Sequence, residues 1–127
     1  MQERHLYEYA VIRVLPKVER EEFINVGVIL FSKRKKFIGI KYFINKEKLA
    51  LFSDEIDFEF IETSLKTFEK ICRNSNSGGS IASLDIAERF RWITAVKSSC
   101  IQTSRPHPGF STDLNETLNR LFQELVL

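Results

Sequence analysis

The sequence predicts an α+β fold, an antiparallel sheet of about four strands packed against three or four helices, as a single domain spanning residues 1–127. Three observations predict it. From Leu6 to Ile44 the chain is dominated by β-branched and aromatic residues broken only by charged stretches. Beyond that, apolar residues recur at helical spacing in three segments. A chain of 127 residues with 43% apolar content, and only 5 Gly and 3 Pro, can bury about two thirds of its unfolded surface in one core.

The first strand runs from Leu6 to Leu15, with Tyr7, Tyr9, Val11 and Arg13 on one face and Leu6, Ala10, Ile12 and Val14 on the other. Pro16 ends it, and the charged connection after it has room for one helical turn in which Arg20 and Glu22 can pair. Val26 to Phe31 is apolar on both faces, which predicts a central strand covered on each side. Gly27 inside it marks a bulge or a close approach by another element. Lys33, Arg34, Lys35 and Lys36 then fall at a hairpin tip before a strand from Phe37 to Ile44. Charges at such a tip either keep it solvated or meet phosphate.

Asn45 caps a short helix through Leu51, and Asp57 caps a longer one in which Ile61, Leu65, Phe68 and Cys72 form the buried stripe. Glu62 with Lys66, and Glu69 with Arg73, have the acid-first spacing of exposed helical pairs. Residues 74–80, NSNSGGS, read as a connector, because the glycines lack the spacing of a phosphate-binding loop. A third helix is expected from Ile81 to about Ala95, with Ile86, Phe90 and Ile93 inward, Arg89 and Trp92 flanking them and Arg91 outward. Ser98 to Ser104 alternates as a strand, which puts Gln102 and Ser104 on the opposite side from Ile101. RPHPGF reads as a stiff corner. A last helix begins at Thr112 or Asp113 with Glu116 in the capping-box position, and buries Leu114, Leu118, Leu121, Phe122 and Leu125.

A net charge of +2 does not by itself argue for nucleic acid. Its distribution is more informative. Acids crowd the stretch from Glu47 to Glu69, whereas no acid occurs between Glu88 and Asp113, a segment holding Arg89, Arg91, Lys97 and Arg105. Cys72 and Cys100 have neither metal-ligand nor CxxC spacing and are expected reduced and buried. The N-terminal segment lacks the apolar stretch of a signal peptide and no run is long enough to span a bilayer, so no membrane association is expected and the compartment is taken as cytoplasmic. The spacing of the His and Cys residues implies no metal, and no cofactor motif is present.

Anion binding is the chemistry that the polar stretch favours. Arg91, Gln102, Ser104, Arg105 and His107 are all donors in an acid-free segment, with Arg13 of the first strand as a further candidate. The bland alternative is that Arg89 and Arg105 pair with the chain's own acids. Trp92 is either a stacking platform or a packing residue. General acid or base work would fall to His107, near Ser98, Ser99 and Ser104, but no triad spacing accompanies it.

Two blocks, YEYAVIRVLPKVEREEFINVGVILF and RFRWITAVKSSCIQTSRPHPG, resemble the bacterial domain-of-unknown-function family numbered 3037 over nearly the whole chain, with Arg13, Glu22, Asn25, Gly27, Arg91, Trp92, Gln102, Ser104, His107 and Gly109 in the matching places. The resemblance implies no activity. It implies a partner, since members tend to be encoded beside a kinase-like protein of the HipA type, as in a two-gene module. Two functional classes follow: a binding or interaction module with an anion-complementary face, or an enzyme on a phosphoester or nucleic acid that uses His107 and Arg91. Plain nucleic-acid binding through Lys33 to Lys36 is a third, and oligomeric state is left open.

Overall fold

The strand to which the rest of the sheet attaches is β1 (His5–Val14), paired along one edge with β2 (Ile24–Ser32). A computed structural model describes residues 3–73, 84–95 and 99–127. β3 (Phe37–Tyr42) continues the hairpin from β2, and two short strands, β4 (Ile101–Thr103) and β5 (His107–Ser111), lie end to end on the other edge of β1. All pairings are antiparallel. Four helices cover the sheet: α1 (Lys46–Ala50), α2 (Phe58–Cys72), α3 (Ile86–Thr94) and α4 (Leu114–Leu125). The result is the expected α+β fold with a fifth strand added.

That fifth strand corrects the expected rigid corner. His107–Ser111 carries a Pro and a Gly, yet a Pro is tolerated in a strand at a sheet edge, where a missing N–H breaks no ladder. β5 is such an edge, pairing only with β1 from His5↔Ser111 to Tyr9↔His107. Gly109 is required there because an added Cβ would lie 2.5 Å from Cζ of Tyr7, its cross-strand partner. Gly27 likewise sits where a Cβ would meet the Lys41 carbonyl at 2.9 Å, beside the register shift between Ile12 and Arg13.

Alternation along β1 divides two cores. Ala10, Ile12 and Val14 face α2 and α3 with Ile29, Phe31, Ile61, Leu65, Phe90 and Ile93. Tyr7 faces the other way, toward Val28, Leu30, Leu114, Leu118 and Leu121. α4 lies across β2 and β3, so the part of its face formed by the far end of β1 and by β4 is covered less. The caps are those the sequence predicts: Asn45, Asp57 and Asp113 each accept the N–H three residues on. A 3-10 turn at Val18–Arg20 fills the charged connection, and Arg20 pairs with Glu22 at 2.5 Å.

Other expectations are adjusted. α3 begins at Ile86 because Asp85 accepts from Glu88 N–H and starts the helix there. The connector at 74–80, the expected helical turn at 81–83, and Lys97 and Ser98 lie outside the described residues. Glu62 pairs with Lys46 of α1 at 3.3 Å, whereas Glu69 and Arg73 pair as expected. Cys72 is buried and Cys100 only half-buried; both are free thiols. Among the described residues no helix is long and apolar enough to cross a membrane.

Candidate functional site

Arg91 is held at the mouth of a cleft by the two residues before it. Phe90 stacks on Phe31 of β2 with ring centroids 5.0 Å apart, which fixes α3 against the sheet. Arg89, only 7% exposed, donates from Nη1 to the carbonyls of Ile71 at 2.8 Å and Cys72 at 3.2 Å, closing the C-terminus of α2. Arg89 is thus consumed internally, by carbonyls and not by the acids of the chain. Arg91, about 100° further round the helix than Phe90, is exposed.

The opposite wall is the β2–β3 turn. Ser32 donates to the Leu6 carbonyl at 2.8 Å, and the turn closes with Lys36 N–H on the Lys33 carbonyl at 3.2 Å, Lys36 adopting a left-handed φ of 50°. Lys33 and Arg34 of this turn line the same cleft as Arg91, and Arg4 lies over the Phe110 ring at 5.1 Å from its centroid. The cleft encloses about 800 Å³, within the size range of ligand sites.

Its floor is apolar. Leu6 and Phe110 are cross-strand partners on β1 and β5, and remain 53% and 59% exposed. Phe31 and Pro108 flank them, and Glu8 is the one carboxylate in the lining. Among the described residues, Arg4, Lys33, Arg34 and Arg91 form no ion pair within 4.0 Å. These cations are therefore available to an external anion, at a site whose apolar floor lowers the local dielectric.

The remaining predicted residues do not join this cleft. Arg13, Gln102 and His107 stand on the α4 face of the sheet: Arg13 pairs in register with Gln102, and His107 with Tyr9. Arg13 lies over Phe23 at 4.1 Å and shares with it and Gln102 a hollow of about 260 Å³. Gln102 turns its amide back to the Ser99 carbonyl at 3.0 Å. His107 packs on Tyr9, centroids 5.3 Å apart. Arg91 is on the opposite face, so the acid and the cation that the enzyme reading combines are separated by the sheet.

Ser104 is also corrected. It is buried, accepts Val11 N–H at 2.9 Å and donates to the Arg105 carbonyl at 3.0 Å, so its hydroxyl completes the ladder where the chain leaves β4. Arg105 is exposed and outside any ion pair among the described residues, contrary to the alternative of internal pairing. Trp92, 39% exposed, borders a hollow with Phe60, Thr63 and Phe68 of α2, away from Arg91's cleft.

Sequence reading missed Arg4, Leu6, Glu8 and Phe110 as site residues. The alternation of β1 puts Leu6 on the face shared with Ala10 and Ile12; only recognition of β5 would have set Phe110 beside it.

Fold and cleft together define a small α+β protein whose basic recess lies on the α3 side of the sheet, over the Leu6–Phe110 pair. Residues 9–126 match the family model described as "Protein of unknown function (DUF3037)", and the chain belongs to that family. No curated protein and no solved structure matches it.

Proposed function

We propose that the protein is a binding module whose anion-complementary site is the cleft between Arg91 and the β2–β3 turn. One observation carries this reading: Arg4, Lys33, Arg34 and Arg91, from three separate segments, converge on one recess without carboxylate partners among the described residues. Unneutralised like charges repel, and gathering them is offset by a bound anion. Arg91 and Arg34 each present a planar fork suited to carboxylate or phosphate. The partner implied by the family resemblance is a kinase-like protein of the HipA type, to which this chain would be an accessory subunit.

The test is an NMR titration of the isolated protein with hexaglutamate at low and at physiological ionic strength. Shifts are expected at Arg4, Lys33, Arg34 and Arg91, weakening with salt, and lost in the Arg34→Ala, Arg91→Ala double variant. Shifts confined to Arg13, Gln102 and His107, or none, would overturn the reading.

A further inference from the structure

Resting on the anion-binding reading, we infer that the cleft takes an acidic polypeptide segment carrying large apolar side chains, from a partner protein. Charge explains only its rim. Leu6 and Phe110 are among the most exposed large apolar residues of the described chain, and they are direct cross-strand partners on one face. A contiguous apolar patch of this kind, rimmed by polar groups, is what an interaction site leaves open in the unbound protein.

Three features select polypeptide over nucleic acid. A single-strand site offers several rings to successive bases, whereas this floor exposes one, Phe110, and Arg4 already occupies one side of it. Glu8 lies within the lining, where its carboxylate can accept a peptide N–H, a donor that a phosphodiester backbone lacks. Leu6 and Pro108 add aliphatic surface, which suits a leucine or phenylalanine anchor better than a base.

Fluorescence anisotropy at physiological ionic strength decides the matter with three labelled probes: the peptide Glu-Glu-Leu-Glu-Phe-Glu-Glu, the same peptide with both apolar residues replaced by Ser, and a ten-nucleotide oligothymidylate. The apolar peptide should bind about tenfold or more tighter than its Ser counterpart, the scale of burying one large side chain. Leu6→Ser and Phe110→Ser, both at exposed positions, should bring the two peptides to the same affinity. Equal affinity for the two peptides would overturn this inference while leaving the anion-binding reading intact. Tighter binding of oligothymidylate than of either peptide would overturn it in favour of nucleic acid. No binding of any probe would remove both readings.

Discussion

Ser104 and Val11 share two hydrogen bonds: Val11 N–H reaches the Ser104 hydroxyl at 2.9 Å, and Ser104 N–H reaches the Val11 carbonyl at 2.8 Å. The chain leaves β4 here, so the Val11 N–H has the Ser104 hydroxyl as its acceptor in place of a strand carbonyl. A side chain replaces the missing backbone partner. Ser104→Ala would leave the buried Val11 N–H unsatisfied and should cost about 1 to 3 kcal/mol, measured by urea unfolding. Ser104→Thr, which keeps the oxygen, should cost less.

Arg89 ties α3 to the end of α2 through the Ile71 and Cys72 carbonyls. Arg89→Met keeps most of the aliphatic bulk but removes the donor, and should lower unfolding free energy by about 1.5 to 3 kcal/mol, the range for hydrogen bonds from a charged group. An equal stability for the two proteins would show that water serves those carbonyls as well.

Gly109 leaves no room for a side chain beneath Tyr7. Gly109→Ala should destabilise by about 1 to 3 kcal/mol through overpacking. Because Leu6 faces Phe110 next to this pair, the variant should also shift the amide resonances of Leu6 and Phe110 in an NMR spectrum.

Burial pushes the Cys72 thiol from 9.0 up to about 12, with Arg89 nearby acting in the opposite direction. Above pH 9.0 the unfolded thiol has released a proton that the folded one retains, so the folded state binds more protons and stability falls as pH rises toward 12. Melting temperature should fall across that window, and Cys72→Val should make the fall shallower. Burial also raises the Tyr42 hydroxyl, so part of the slope remains in the variant.

Local signals were legible in the sequence and topological ones were not. Asn45, Asp57 and Asp113 act within four residues of themselves, and each caps its helix as its sequence context indicates. The apolar run around Val28 is covered on both faces because α4 packs on one side of β2 and α2 and α3 pack on the other. Arg91 was correctly placed outward, yet its companions could not be read, since Arg4, Lys33 and Phe110 reach it only through the register of strands far apart in sequence. Ser104 looks like a free donor in the sequence because nothing local shows that Val11, 93 residues away, engages it.

The pairing of His5 with Ser111 has a consequence for how the molecule is made. β1, β2 and β3 can form a hairpin meander early, from contacts close in sequence, but β5 closes against β1 across most of the chain, a slow and entropically costly loop. Translation must proceed past Ser111 before Phe110 can reach Leu6. The recess therefore exists only on molecules that have completed their fold, and a nascent chain presents its basic turn without the floor beneath it.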